Sequence, residues 1–220
     1  SLTLKKSKSI GLVSLFVLSL FVAMVSTTPA VGAVNDTSSG TITGTETWTG
    51  VMNLDGDLLV AGGAKLIINA GTTINIPANR NIQIQGSICA GDAFCGATQA
   101  STGSPIRFIW SEPGAAAPNQ TGRCYVTGVF NPDMACGSGI YLASTIDQSL
   151  TRMNHVTIDG AYGIPVDIDG QGTIKYGAMV FDGASLSVSN PSFRDVNTSN
   201  VLAFGGASPT FDGGTFEVGI

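Results

Sequence analysis

The amino-acid sequence predicts an all-β fold, a parallel β-helix with three short strands in each coil, preceded by a secretory signal peptide. Two observations predict the coils. Short apolar runs recur about every eight residues between residues 58 and 88, with small or turn-forming residues between them. Beyond residue 40 no stretch has sustained helical periodicity, so strands are the repeating element.

The first 33 residues have the three parts of a secretory signal. Three lysines between residues 5 and 8 are followed by a charge-free apolar run at 10–25 and by small residues at 31–33. A retained membrane anchor is the alternative, but a spanning helix needs about 20 apolar residues and this run is shorter. We therefore expect residues 1–33 to be removed on export, and no membrane span within residues 34–220.

A flexible segment at 34–44 and a β-helix domain at 45–220 complete the predicted organisation. Residues 109–138 interrupt the strand pattern and are predicted to form a disulfide-containing loop insertion, either functional or simply tolerated at the surface. The chain starts without a methionine and ends within a strand-like pattern at 215–218. We therefore expect a piece of a longer protein, truncated at its C-terminus.

The apolar runs favour a solenoid over a meander of hairpins. They are very short, and the residues between them lack the two-residue Asn-Gly type of turn that hairpins use. Three steps of about eight residues make a coil of about 24, in which each strand stacks on its counterpart one coil later. The four runs are Leu58-Leu59-Val60, Leu66-Ile67-Ile68, Thr73-Ile74-Asn75-Ile76 and Ile82-Gln83-Ile84.

An apolar residue followed by Asp-Gly forms a second repeat. It occurs at Leu54-Asp55-Gly56, Ile158-Asp159-Gly160, Ile168-Asp169-Gly170, Phe181-Asp182-Gly183 and Phe211-Asp212-Gly213. Glycine reaches the positive φ values that coil corners need, and aspartate supplies a local hydrogen bond. The intervals from Asp159 to Asp182 and from Asp182 to Asp212 have the size of a coil, and that from Asp159 to Asp169 suggests successive faces of one coil. Four phenylalanines are predicted to join the core: Phe193, Phe204, Phe211 and Phe216.

Several stretches resemble a known group of proteins, the secreted right-handed β-helix proteins of the pectin-lyase-like superfamily. The stretches are 58–74, 86–92, 104–108, 139–142 and 156–160, and the resemblance covers about residues 45–220. It implies a right-handed parallel β-helix. It does not single out a function, because that superfamily includes lyases, hydrolases and adhesins.

The four cysteines fall into two close pairs, Cys89 with Cys95 and Cys124 with Cys136. In an exported chain an even number of cysteines predicts disulfides, and we expect each pair to close its own loop. Neither spacing has the CxxC form of zinc or redox sites. Three sequons are compatible with N-glycosylation, at Asn35, Asn119 and Asn197.

The charge balance argues against nucleic acid as a partner. Ten basic residues face fifteen acidic ones, and removal of the signal takes away three of the lysines. An acidic chain with few charges repels phosphate backbones. The acids suit solubility outside the cell and binding of a divalent cation such as calcium.

Two kinds of polysaccharide-cleaving chemistry occur among pectin-lyase-like proteins, and each needs its own set of residues. A lyase of the pectate type needs an arginine base beside acids that hold calcium, and no arginine is singled out among Arg80, Arg107, Arg123, Arg152 and Arg194. A hydrolase needs paired carboxylates on one face. Its Asn-Thr-Asp and Gly-His-Gly signatures are absent.

The best local acids are Asp167 and Asp169, which alternation places on the outer face of a strand. Together with Asp159 and Asp182 they are candidates for a calcium site with oxygen ligands, and Asp167 and Asp169 for catalysis. The alternative, which we favour, is that these acids are solubilising side chains spread over separate corners.

The remaining singular residues favour structural roles. His155 is the one histidine, cannot form a histidine-pair metal site, and is predicted to face outward at the start of a strand. Trp48 and Trp110 are candidates for stacking on sugars, although Trp48 suits a cap on the open apolar end of the solenoid.

These observations favour an extracellular or cell-surface β-helix protein with a structural, adhesion or glycan-binding role. A polysaccharide or cell-surface glycan is the expected partner. The alternative is a polysaccharide lyase or glycoside hydrolase that acts on an acidic polysaccharide.

Overall fold

The computed structural model describes residues 39–111, 125–126, 129–130, 137–169 and 174–217, and these residues form a right-handed parallel β-helix. Strands rich in β-branched and aromatic residues alternate with short corners. A single 3-10 turn at Ala93–Cys95 is the one helical element within this described part. The predicted all-β class and the three strands per coil are confirmed.

Six coils each contribute three strands. Coil one contains β1 (Gly40–Ile42), β2 (Thr45–Trp48) and β3 (Val51–Asn53), and coil two contains β4 (Leu58–Val60), β5 (Lys65–Ile68) and β6 (Thr73–Ile76). Coil three contains β7 (Asn81–Ile84), β8 (Ser87–Ala90) and β9 (Ile106–Trp110), and coil four contains β12 (Gly139–Leu142), β13 (Arg152–Asn154) and β14 (Val156–Asp159). Coil five contains β16 (Ile174–Asp182), β17 (Ser187–Ser189) and β18 (Ser192–Arg194), and coil six contains β19 (Ser199–Phe204), β20 (Thr210–Asp212) and β21 (Thr215–Phe216). Three strands lie outside the coils: β10 (Tyr125–Val126), β11 (Val129–Phe130) and β15 (Ile164–Asp167).

Parallel pairing of equivalent strands builds three sheets along the solenoid. Sheet 1 contains the first strand of each coil, in the order β1-β4-β7-β12-β16-β19. Sheet 2 contains the second strands, β2-β5-β8-β13-β17-β20, and sheet 3 the third, β3-β6-β9-β14-β18-β21. Because the hydrogen bonds run between coils, every inner strand is paired on both sides.

The strand register confirms the coil length that the apolar runs predict. Leu58 pairs with Ile82 in the next coil, 24 residues later, and Leu66 pairs with Ile88. All four predicted runs are strands, from β4 to β7. Stacked residues are 50 to 63 positions apart between coils three and four and 35 to 39 apart between coils four and five, because the segments between these strands are longer. Between coils five and six the spacing returns to 22 or 23 residues.

Inward side chains form continuous apolar ladders along the axis. In sheet 3 the ladder passes through Met52, Ile74, Phe108, Ile158 and Phe193, all of them buried. Sheets 1 and 2 add two more ladders, which contain Ile42, Val60, Ile84, Leu142 and Phe181 and then Ile68, Ala90, Met153 and Val188. Full burial of one such large side chain contributes about 1.5–3 kcal/mol, so the ladders are the main source of stability.

Three of the five Asp-Gly pairs lie at corners with the backbone conformation that was predicted. Gly160, Gly183 and Gly213 have φ values of 73°, 66° and 71°, in the left-handed region that favours glycine. Each follows directly on the last residue of a strand.

The prediction that the spacing of these pairs equals one coil is wrong. The pairs do not mark the same corner of successive coils. Asp159 ends β14 in sheet 3, Asp182 ends β16 in sheet 1, and Asp212 ends β20 in sheet 2. The residue that stacks one coil after Asp159 is Arg194. Asp-Gly closes strands on any of the three sheets, so its spacing does not measure the coil.

The interval from Asp159 to Asp169 was also misinterpreted as successive faces of one coil. Strand β15 pairs antiparallel with the first residues of β16, with Ile164 opposite Gly177 and Asp167 opposite Ile174. The two strands therefore form a hairpin that extends sheet 1 beyond the coil. The sequence pattern of β15 resembles that of a coil strand, and only the pairing distinguishes the two.

Phe204 departs from the predicted core. Phe193 and Phe211 pack with the solenoid core, and the Phe216 ring stacks on that of Phe193 at 5.2 Å between centroids. Phe204 instead packs in a second apolar cluster with Tyr141 and Val180, on the outer face of sheet 1. The reason is alternation, because Ala203 is the residue of β19 that stacks on the inward Phe181.

The first predicted disulfide is present. Cys89 and Cys95 are bonded, with their Cα atoms 5.7 Å apart. They are six positions apart in the sequence and close a short loop. Cys124 and Cys136 lie outside the described residues. No helix within the described ranges is both long enough and apolar enough to cross a membrane.

Candidate functional site

A groove of about 320 Å³ opens on the outside of the solenoid, along the corner where sheet 2 turns into sheet 3. Coils three to six contribute to it. The lining residues are Thr102, Pro105, His155, Thr157, Asn190, Pro191, Ser192, Arg194, Gly214 and Thr215. We refer to this feature as the groove.

A ladder of hydroxyl groups forms one wall of the groove. Thr157, Ser192 and Thr215 stack on one another in β14, β18 and β21. They alternate with the inward residues of sheet 3, so their side chains point outward. The Thr215 hydroxyl donates a hydrogen bond to the Ser192 hydroxyl at 2.9 Å, which leaves the ladder with further donor and acceptor capacity toward a ligand.

His155 forms the corner itself. It is part-buried, its φ is 49°, and its backbone N–H donates to the carbonyl of Ser189 at 2.9 Å. Its Nδ1 lies 2.9 Å from Oδ1 of Asn154. An amide oxygen only accepts, so this contact is a hydrogen bond when the proton is on Nδ1. The predicted position at the start of a strand is confirmed, and the side chain lines the groove.

Asn190 repeats the conformation of His155 one coil later. Its φ is 50°, and its backbone N–H donates to the carbonyl of Asp212 at 2.7 Å. Gly213 follows at the equivalent place in coil six. The corner is therefore rigid and regular, because each coil hydrogen-bonds to the next through the same backbone group.

Several charged groups lie near Arg194, which is one of the residues that line the groove. Arg194 is exposed and stacks on Asp159 of the preceding coil. Burial is the largest of the causes that raise the pKa of the Asp159 carboxyl, and the carboxylates of Asp195 and Glu217 add to the effect. The guanidinium groups of Arg194 and Arg107 oppose it. Arg107 points outward from β9, as its sequence context predicts.

The four acids proposed as calcium ligands do not lie together. Asp159 belongs to sheet 3, whereas Asp182 ends β16 in sheet 1 and accepts a hydrogen bond from the Tyr141 hydroxyl at 2.5 Å. Within the described ranges no group of three or more His, Cys, Asp and Glu side chains is placed to hold a metal ion.

Asp167 and Asp169 differ from each other in exposure. Asp169 is exposed, but Asp167 is buried, at 6% of its surface, and so is not the solubilising outward acid that we favoured. The reason is that β15 belongs to the hairpin with β16 rather than to a solvated coil face. The catalytic hypothesis for the two acids stays a prediction.

Neither tryptophan offers its ring to a sugar. Trp48 and Trp110 are at most 1% exposed, and both belong to the solenoid core. The Trp48 indole N–H donates to Glu46 at 2.6 Å, and that of Trp110 donates to the backbone carbonyl of Arg80 at 2.7 Å.

One predicted glycosylation site lies within the described residues. Asn197 is exposed, while the hydroxyl of Thr198 in the same sequon donates to the carbonyl of Tyr162 at 2.7 Å. Asn35 and Asn119 lie outside the described residues.

Sequence reasoning missed most of the groove. A signal was present, because Asn154-His155-Val156-Thr157-Ile158 aligns with Ser189-Asn190-Pro191-Ser192-Phe193 and with Asp212-Gly213-Gly214-Thr215-Phe216. Each segment has a residue with positive φ, followed two positions later by a hydroxyl residue and then by an inward apolar residue. They share few identities, so the repeat becomes visible only with the register.

No family model matches this chain, and neither a curated protein nor a solved structure matches it. The functional inference therefore depends on the groove. Among the residues that line it are one guanidinium, one imidazole, one carboxamide and a row of hydroxyls, and none is an acid. Such a surface can exchange hydrogen bonds with a ligand rich in hydroxyl groups and can accept a negative charge.

Proposed function

We propose that the chain is an extracellular or cell-surface β-helix protein that binds a glycan in the groove. The observation that carries the proposal is the row of polar side chains that coils three to six present along one corner. The signal-like first 33 residues support export. The stacked coils support the resemblance to the pectin-lyase-like superfamily at the level of fold, and membership of that superfamily is part of the proposal.

The architecture suits recognition of a chain-like ligand. Each coil adds one rung to the corner, and parallel strands lie about 4.8 Å apart, so the groove offers donors and acceptors in a regular row. The residues belong to strands and hydrogen-bonded corners. A preorganised surface of this kind loses little conformational entropy when it binds.

The test is size-exclusion chromatography of the purified protein with a panel of acidic and neutral polysaccharides, with and without calcium. We expect one or more polymers to co-elute with the protein without becoming shorter. Arg194→Gln should weaken the co-elution. Lys175→Gln, which removes the same charge from an exposed position on β16, is the matched control and should not.

Two outcomes contradict the proposal. Shortening of a polymer would show an enzyme, and the absence of co-elution with every polymer would leave a structural or protein-binding role.

A polysaccharide lyase or hydrolase is the second candidate, and one observation favours it. The Asp159 carboxyl has a raised pKa and lies beside Arg194, at the edge of the groove. A carboxyl that keeps its proton to higher pH is suited to act as a general acid. If polymers are shortened, Asp159→Asn should abolish the shortening, whereas loss of activity only in Asp167→Asn and Asp169→Asn would place the chemistry at the hairpin.

A further inference from the structure

A disulfide-closed turn on the outer face of sheet 2 presents an aromatic ring to solvent. Residues 89–96 form this turn, which we name the Phe94 turn. Cys89 and Cys95 are bonded at its two ends, and the 3-10 turn Ala93–Cys95 lies between them. Phe94 is at the tip, with 80% of its surface exposed.

The Phe94 turn is held by several independent contacts. The Asp92 side chain accepts a hydrogen bond from the backbone N–H of Phe94 at 2.8 Å, and the Gln99 side chain accepts one from Ala93 at 3.1 Å. The Lys65 ammonium donates to the carbonyl of Cys95 at 2.7 Å. A side chain on so constrained a turn has a fixed direction, so its exposure is not a consequence of a loose loop.

The guanidinium of Arg152 lies beneath the ring. Arg152 pairs with Cys89 of the preceding coil, and its Cζ is 4.7 Å from the centroid of the Phe94 ring. This is the distance of a cation–π contact. A guanidinium that contacts a ring with its face keeps the N–H groups at its edge available for a carboxylate.

Among the residues that the structure describes, Arg152 has no acidic partner. In the described ranges the one ion pair joins Arg80 to Asp57, and the Nε of Arg152 is buried without an acceptor. A ligand cannot reach this buried atom. The Arg152 side chain is part-exposed, however, and its terminal nitrogens are not among the buried atoms that lack a partner, so a carboxylate can pair with the guanidinium there.

We propose that the Phe94 turn and Arg152 form a second binding site, which takes an acidic segment of a protein partner. An apolar side chain of that segment packs on the free face of the Phe94 ring, and a neighbouring carboxylate pairs with the guanidinium. Phenylalanine and arginine are enriched in protein interfaces, and arginine is a frequent hot-spot residue.

The composition of this second site favours a peptide over a glycan as its ligand. Leu150, two residues before Arg152, is also 42% exposed, so the surroundings of the guanidinium are partly apolar. The groove, in contrast, has a row of hydroxyls beside its arginine. The second site is independent of the glycan proposal, because it lies on the outer face of sheet 2.

The test measures binding of a synthetic peptide that carries one leucine between runs of glutamate, by isothermal titration calorimetry on the full chain. Phe94→Ala and Arg152→Gln should each weaken the affinity by roughly tenfold or more, the loss expected at an interface hot spot. The same peptide with glutamine in place of every glutamate should bind the wild-type protein weakly. Its affinity should match that of the glutamate peptide for the Arg152→Gln variant. Phe94→Tyr keeps the ring and should retain binding.

Controls separate this site from the groove and from misfolding. Lys175→Gln removes one positive charge elsewhere and should leave the affinity unchanged, and Arg194→Gln should affect polysaccharide binding only. Phe94 is exposed, so its variants should keep the circular dichroism spectrum and the unfolding temperature of the wild type. Absence of peptide binding overturns the proposal, and so does binding of polygalacturonate that depends on Phe94 and Arg152, which would make this second site a glycan site.

Discussion

At the scale of single residues, left-handed backbone conformations mark the corner that carries the groove. His155 and Asn190 both have positive φ values near 50° at equivalent places in successive coils. Asparagine and histidine occur in this region more often than most side chains, and for an L-residue the left-handed conformation costs about 1–2 kcal/mol. The strained backbone of His155 and its position in the groove favour a functional role for this side chain. The sequence context predicts only that the histidine faces outward.

Replacement of His155 by glycine separates stability from binding. Glycine relieves the left-handed strain, while its greater freedom in the unfolded chain offsets part of the gain. We therefore expect His155→Gly to change the free energy of unfolding by less than about 1 kcal/mol and to weaken polysaccharide binding. Urea denaturation and co-elution measure the two effects. A large loss of stability would show that the imidazole acts as a packing residue.

The raised pKa of Asp159 predicts a dependence of stability on pH. The folded state holds the proton to higher pH than the unfolded state, so stability falls as pH rises through the folded pKa of this carboxyl. Asp159→Asn removes this contribution. The stability of the variant relative to the parent should therefore increase from acidic to neutral pH, as measured by urea denaturation at both. A difference that stays constant with pH would contradict this assignment.

At the scale of elements, apolar runs predict the strands, whereas pairing determines their arrangement. Runs such as Leu58-Leu59-Val60 identify β4 to β7 because a short buried strand leaves a clear local pattern. The hairpin of β15 and β16 leaves none, since Val166 and Asp167 alternate as in a coil strand. The groove was hidden for a related reason. Ile158 stacks on Phe193 after 35 residues but on Phe108 after 50, so no fixed period brings the corners into alignment.

The ladder of sheet 3 predicts a graded effect of truncation. Phe193 is fully buried between Ile158 and Phe216, whereas Phe216 is 45% exposed at the last described coil. Phe193→Ala should cost about 3–5 kcal/mol of unfolding free energy, as for other buried phenylalanines, and Phe216→Ala clearly less. Denaturant titration of the two variants compares them directly. Equal losses would mean that the ladder does not continue as the structure shows.

At the scale of the whole molecule, the solenoid separates its stabilising interior from its outer faces. The ladders occupy the interior, and the groove and the Phe94 turn lie on outer surfaces. The acidic composition argues against a nucleic-acid partner, and the first 33 residues predict export; both stay predictions. The two surfaces that we propose as binding sites could not be predicted in the same way, because each combines residues from different coils that are far apart in the chain.

Hydrogen–deuterium exchange with and without a polysaccharide that co-elutes is the most direct test of the central claim. We expect protection to concentrate in the corner segments 102–105, 155–157, 190–194 and 213–215, with little change in sheet 1. Protection at the hairpin of β15 and β16 instead, or no protection at the corner, would contradict the assignment of the groove as the glycan site.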